Sequence, residues 1–303
     1  MEKSMRRYMR VGTILHVSYK QLGSGEGPIL ECLKKIVTDP YFEVVEVAHM
    51  KDAEVRKAAA DMIVRGHMTS SYGGQGRMLG AGLNINDLNE EGRQKALASL
   101  KEGIDEAYEM GVEDFAFLAG RYEEETKEES FQALLKSTRE LCEYAKSKGD
   151  MPVLCEVFDY DIAKKSLIGP VDMVKRYAET ICAEYDNFGL MVDLSHIPML
   201  HETIEESLLP VQQYIRHAHM GNTVIKSPEC PAYGDEHPRF GFPNSENDVE
   251  ELAAYLRLLL KIGFLNEKKR PIVSFEIKPF GEEDPEVCLA NAKRTLDIAW
   301  ELV

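Results

Sequence analysis

Four stretches of this 303-residue chain end an apolar, β-branched run in a group able to bind a cation or carry a proton. They are Val153-Leu154-Cys155-Glu156, Gly189-Leu190-Met191-Val192-Asp193, Ile215-Arg216-His217-Ala218-His219 and Ile272-Val273-Ser274-Phe275-Glu276. Alternate residues of a strand share a face, so His217 and His219 point the same way. Charge at the end of a buried strand costs several kcal/mol unless something compensates it. Four such ends imply one shared compensator. Three carboxylates and one imidazole suit a divalent ion, Mn²⁺ first, with Mg²⁺, Co²⁺, Zn²⁺ and Fe²⁺ open to the same donors. The expected metal ligands are therefore Glu156, Asp193, His219 and Glu276.

Other polar residues belong to the same rim. His217 shares the face of His219 and is a candidate substrate contact. His196 follows Asp193 by three residues, within reach of a substrate hydroxyl. Lys278 follows Glu276 by two, on the same face, where an ammonium would stabilise an oxyanion. The segment from Tyr233 to Pro243 mixes aromatic residues, His237 and Arg239 with Gly and Pro. It reads as a loop folded over a substrate, with His237 and Arg239 reaching back to the site. His16, His49 and His67 fall in the first three strands, where a hydrogen-bonded core role is the expectation.

Positioning these residues requires a regular scaffold. The apolar runs Val11–Val17, Phe42–His49, Gly66–Tyr72, Asp114–Ala119, Met151–Phe158, Phe188–Ser195, Ile215–Asn222 and Pro271–Lys278 read as eight strands. Amphipathic stretches at Leu30–Val37, Asp52–Val64, Leu88–Met110, Lys127–Lys148, Pro170–Tyr185, Ile204–Tyr214, Asp248–Ile262 and Pro285–Val303 read as helices. Strand-then-helix alternation implies parallel strands joined by right-handed crossovers, and eight such units predict a closed (β/α)8 TIM barrel. An open doubly wound sheet is the competitor. No GxGxxG motif opens a helix after a strand, and Gly73-Gly74-Gln75-Gly76 precedes a polar segment, so it is weak as a phosphate cradle. Residues 1–10 are expected as an N-terminal tail and 11–303 as the barrel. In a barrel, chemistry sits at the C-terminal strand ends, where all four polar ends lie.

Lys plus Arg number 36 and Asp plus Glu 52, a net charge of −16. Such a balance opposes binding to nucleic acid or an anionic membrane surface. The six cysteines form no CxxC pair and read as buried, reduced thiols of a cytoplasmic protein. No apolar run approaches the ~20 residues of a membrane span, and the charged N-terminus reads as a tail and not a signal peptide. Self-association through the outer helices is expected.

With these residues in place, the chain resembles the xylose isomerase-like superfamily, and looks most like the single-metal branch that includes the ketose 3-epimerases. Glu156, Asp193, His219 and Glu276 match that family's metal positions on strands five to eight, and Asp193 with His196 matches its Asp-x-x-His. The resemblance implies that Glu156 and Glu276 both bind metal and exchange a proton with a substrate carbon. It implies a small sugar as substrate and isomerisation or epimerisation through an enediolate. Two positions depart from the pattern. Asn222 and a longer loop stand where the epimerases carry a Glu and then an Arg, with Arg239 only a loose stand-in. Ile162 occupies an acidic position. The departures keep a second activity in view, that of the related C-glycoside deglycosidases. These are lyases that cleave 3-oxo glycosides together with a small second subunit. For that reading Tyr233, Phe240 and Phe242 are expected to line an aglycone opening. A DNA-repair endonuclease of the superfamily would need more His ligands and a basic face, and the net charge opposes it.

Overall fold

Short β-branched runs cannot cover both of their faces by themselves, and here they do so by closing on one another. The computed structural model describes residues 4–303. Its eight strands are β1 (Arg10–Ile14), β2 (Val44–Val47), β3 (Thr69–Gly73), β4 (Phe115–Leu118), β5 (Val153–Glu156), β6 (Phe188–Asp193), β7 (Ile215–Gly221) and β8 (Ile272–Glu276). Each pairs in parallel with its sequence neighbours, and β8 returns to β1, closing the barrel. The predicted (β/α)8 barrel is the observed fold.

One set of alternate side chains packs outward under the helices, among them Val45, Phe117, Cys155, Val192 and Phe275. The other set fills the barrel. Ala116, Leu154 and Met191 form a small buried cluster there. Gly12 belongs to the same set, and a Cβ on it would stand 2.5 Å from Ser274 Oγ and 3.0 Å from Val44 Cβ. The inward set is therefore packed to contact across neighbouring strands.

The β6–β7 pairing decides where the histidines point. Leu190 is opposite Ile215, but Met191 is opposite His217, so Arg216 is an extra residue in the ladder. Arg216 is the exposed residue of an otherwise buried strand. This bulge brings His217 and His219 into register with Met191 and Asp193, facing inward.

The long helices start and stop on local signals. Asn89 and Asp284 cap Glu90–Met110 and Pro285–Glu301, and Gly111 ends the former at φ 67°. Several boundaries differ from the sequence reading. The first strand stops at Ile14 and turns into a short helix, Leu15–Ser18. The glycine-rich segment forms a one-turn helix, Gln75–Leu79. The helix expected over Ile204–Tyr214 ends at Leu208 and continues as a 3-10 helix, because Pro210 supplies no backbone N–H. Of the tail expected over residues 1–10, Met1, Glu2 and Lys3 lie outside the described residues. Met9 is fully buried and Arg10 already pairs with Ile272 of β8, so the barrel begins earlier than expected.

Candidate metal centre and reaction cleft

Glu156, Asp193, His219 and Glu276 converge at the C-terminal mouth of the barrel. Each offers a ligand atom within 4.8 Å of the others. Register explains the convergence: Asp193 is the direct partner of His219, and Glu276 that of Gly221, two residues on. Gly221 makes this approach close. A Cβ there would lie 3.0 Å from Ser195 Cβ and 3.1 Å from Asp193 Oδ1.

His219 Nδ1 lies 2.9 Å from Glu276 Oε2 and 3.3 Å from Glu156 Oε1. Despite these short approaches, neither His219 Nδ1 nor Glu156 Oε1 makes a hydrogen bond of proper geometry among the described residues, although both atoms are buried. Orphaned buried polar atoms are costly, and a cation held between them would satisfy both. The donor set therefore fits the divalent ion that the resemblance implies. Asp193 is oriented by Ser195, whose backbone N and Oγ donate to its two oxygens at 2.8 and 2.6 Å.

Beneath this group runs a buried polar chain that the sequence reading missed. Glu46 of β2 places both oxygens 3.2 Å from His219 Nε2, and its Oε1 lies 2.8 Å from His217 Nε2. His217 Nδ1 is 3.1 Å from Asp114 Oδ2, and Ser71 Oγ donates to the other Asp114 oxygen. Burial alone would push the Glu46 carboxyl up, but the two imidazoles outweigh it and hold it well below the ordinary range. Burial likewise disfavours a charged His217, but Glu46 and Asp114 raise it to about 9. A signal was present. Glu46 sits inside an apolar strand on the inward parity, and an inward carboxylate needs a partner across the barrel.

The long loop after β7 is fastened at both ends by Asn222. Its Oδ1 accepts from the backbone N of Thr223 and Asn247, and its Nδ2 donates to Arg239 O. This places Asp235 and His237 over the mouth. His237 Nε2 is 2.8 Å from Asp235 Oδ1 and 3.5 Å from Glu276 Oε1. His196 donates from Nδ1 to Val157 O at 2.7 Å and from Nε2 to Asp235 at 3.0 Å. Burial works against its charge, but Asp193 and Asp235 raise it to about 10, so both nitrogens carry protons. Lys164 also pairs with Asp235. Its loop is shaped by Asp159, which accepts from the backbone N of Ile162, Ala163, Lys164 and Lys165. Gln75 donates to Glu156 Oε2 at 2.6 Å.

A cleft of about 210 Å³ opens above Glu156, His219 and Glu276, and Gln75, Phe158, Lys164, Asp235, His237 and Lys278 are among its walls. Of the expected substrate contacts, His237 and Lys278 line it, with Lys278 paired to Glu236. His217 lies deeper, inside the barrel, and His196 is held beneath Asp235. Arg239 turns away: its Nε donates to Glu283 at 2.8 Å and its Nη1 to the carbonyls of Phe240 and Gly241. A guanidinium so engaged does not face the cleft. Tyr233, Phe240 and Phe242 also fail to line it. Phe240 is buried and Phe242 packs on Phe280 with ring centroids 5.5 Å apart. His16 lines the cleft, His49 pairs with Glu106 at 3.0 Å, and His67 sits in the turn before β3, at the opposite end of the barrel. Asp235, Lys164 and Gln75 are cleft residues that sequence reasoning did not single out.

Structural comparison finds the same fold in several solved proteins. It superposes on a D-tagatose 3-epimerase-like protein with a TM-score of 0.73 at 18% identity, covering 97% of this chain and 99% of that one. The IOLI protein crystallised with a zinc atom gives 0.70 at 17%, over 97% and 99%. The 3-keto-D-glucoside 4-epimerase of E. coli gives 0.63 at 15%, over 97% and 98%. At such identities the likeness shows the fold. No curated protein matches the sequence. The model of the xylose isomerase-like TIM barrel family matches residues 37–296, and the chain belongs to that family.

Proposed function

We propose that the chain is a divalent-metal-dependent sugar isomerase or epimerase that removes a proton beside a carbonyl. One observation carries this reading: Glu156 and Glu276 flank the unpartnered Nδ1 of His219 at the floor of the cleft. Glu156, Asp193, His219 and Glu276 would hold the ion, Mn²⁺ first. The ion would supply Lewis-acid stabilisation of the enediolate charge, a contribution of several kcal/mol.

The protein's own groups perform the proton transfers. One of the two glutamates takes the proton from the carbon next to the carbonyl, and the other returns one from the opposite face, which inverts the centre. Return to the neighbouring carbon would interconvert aldose and ketose. Gln75 fixes one oxygen of Glu156, leaving Oε1 free of hydrogen bonds. Lys278 and Lys164 bring positive charge to the wall where an oxyanion develops, and His237 approaches Glu276. The sugar epimerases among the structural neighbours support the reading.

A second reading starts from the same proton removal. The enediolate of a 3-oxo glycoside can expel a β-substituent, which is lyase chemistry with a small partner subunit. The cleft continues past Leu79 and Lys164 into a second cavity with room for such a substituent. Incubating the Mn²⁺-loaded chain in D₂O with ketoses and 3-oxo glycosides tests both. Deuterium in the recovered sugar supports isomerase or epimerase action, and aglycone release supports the lyase. Neither outcome with any substrate would reject the reading. Size-exclusion chromatography tests the associated expectation of an oligomer.

A further inference from the structure

A hydrogen-bonded core role is the sequence expectation for His16, and the fold gives it another place. β1 stops at Ile14, and the chain turns at once into the short helix Leu15–Ser18. The turn sets His16 at the mouth of the barrel, in the wall of the reaction cleft with Glu46 and Glu276. His219 and His237, in the same wall, each lie beside a carboxylate. The ring of His16 makes no hydrogen bond among the described residues, and its Nδ1 is buried without a partner. The residue as a whole is only partly buried, which leaves Nε2 as the ring nitrogen open to the cleft. Burial pushes the ring below its ordinary value, although Glu276 and Glu46 pull the other way, so it stays neutral. A neutral imidazole offers one donor and one acceptor, and here the protein uses neither.

His16 belongs to a further wall as well. A cavity of about 250 Å³ opens on the β1–β2 side of the cleft, and the two share His16, Gly73 and Gly76. Much of the rest of its lining is small, with Gly23, Ser24, Gly25 and Ala48, so main-chain polar groups can come close to a ligand. Among the described residues of these walls the one guanidinium or ammonium is that of Arg77. It is already engaged: Nη2 lies 2.8 Å from Glu106 Oε1, and Nε donates to Tyr72 Oη at 3.3 Å. Glu106 also holds His49 Nδ1 at 3.0 Å. A phosphate entering this cavity would meet no unpaired cation, whereas hydroxyl groups would find donors and acceptors without a charge to neutralise.

We propose that His16 is a substrate-binding residue: its ring hydrogen-bonds a substrate hydroxyl where the two cavities meet, and it directs the uncharged, hydroxylated far end of the sugar into the cavity between β1 and β2. The proposal rests on the proposed sugar chemistry and adds the residue that reads the length of the substrate. Glu156, Asp193, His219 and Glu276 act at the carbonyl end, and His16 acts at the other. Gly76 keeps the passage open. It lines both cavities, and a Cβ added there would meet nothing within 4 Å. A side chain at this position would fill the passage without pressing on the fold.

The test follows solvent deuterium exchange by the Mn²⁺-loaded chain with the D-ketohexoses and with dihydroxyacetone, which keeps the carbonyl and its neighbouring hydroxyl but lacks the far end. In His16→Phe the KM of an exchanging ketohexose should rise at least tenfold, which corresponds to about 1.4 kcal/mol, with kcat within twofold. Dihydroxyacetone should keep both values within twofold. His16→Asn restores a hydrogen-bonding group and should bring the ketohexose KM back to within threefold. Gly76→Leu should act as His16→Phe does, and it decides alone if His16→Phe fails to fold. If dihydroxyacetone does not exchange, the ketohexose KM and its rescue by His16→Asn decide. An unchanged ketohexose KM, or equal losses for both ketones, would overturn the proposal and leave the sugar chemistry in place. If no ketone exchanges deuterium, that chemistry fails and binding decides. Calorimetric titration with the same ketohexoses should then show affinity at least tenfold weaker in His16→Phe and in Gly76→Leu. Equal affinity, or no binding to the unmodified chain, overturns the proposal.

Discussion

Glu46 stands between two histidines, with its oxygens 3.2 Å from His219 Nε2 and its Oε1 2.8 Å from His217 Nε2. A carboxylate accepting the Nε2 proton of His219 selects the tautomer whose Nδ1 lone pair faces Glu156 and Glu276. Ligating histidines are commonly fixed by such a partner, which also raises their basicity. Glu46→Gln should therefore weaken metal binding by about 10- to 100-fold. Competition with a chromophoric chelator measures this directly, and circular dichroism checks that the barrel persists. Metal affinity unchanged in a folded variant would remove Glu46 from this role.

The chain of contacts continues from His217 to Asp114. Asp114 is buried and is tied to His217 Nδ1 at 3.1 Å and to Ser71. Removing one member of a buried ion pair leaves the other charge uncompensated, at a cost of about 3–5 kcal/mol. Asp114→Ala should lower unfolding free energy by about 3 kcal/mol in urea denaturation of the metal-free chain. A loss under about 1 kcal/mol would mean that the interior network relaxes around the gap.

The cysteines give a prediction about pH. Burial pushes the Cys142 and Cys155 thiols up to about 12. A raised thiol pKa keeps the neutral form as pH rises, and the thiolate is the reactive species. At pH 8 iodoacetamide should therefore leave both unlabelled in the native chain. Cys230, partly exposed in the loop after β7, should label first. Peptide mapping by mass spectrometry reads the order, and early labelling of Cys155 would show that β5 opens at its outer face.

The eight strands and the convergence of Glu156, Asp193, His219 and Glu276 were legible because each signal is local: a β-branched run fixes the strand, and its last polar residue fixes the end. Alternation also placed His217 and His219 on one face. The interior network was less legible, since Glu46 and Asp114 acquire meaning only when barrel closure brings β2 and β4 opposite β7. Loop side chains were legible in type but not in direction. His237 and Arg239 sit two residues apart in one loop, yet one lines the cleft and the other is drawn outward by Glu283. The bulge at Arg216 could not be read either, because an extra residue in a ladder is defined by its partner strand.

The strongest test of the chemistry separates the two glutamates. Glu156→Gln and Glu276→Gln each keep an oxygen ligand but remove the base, so epimerisation should fall by at least about 10² in both. Proton exchange need not fall equally. If the two carboxylates serve opposite faces of the substrate, each variant should still wash out the proton of the one epimer that its remaining glutamate faces. Measuring deuterium uptake separately for each epimer, with metal content determined alongside, distinguishes this two-base arrangement from one in which a single residue moves both protons. In that second case one variant loses exchange from both epimers and the other loses from neither. Epimerisation retained within tenfold in either variant would remove that residue from the mechanism.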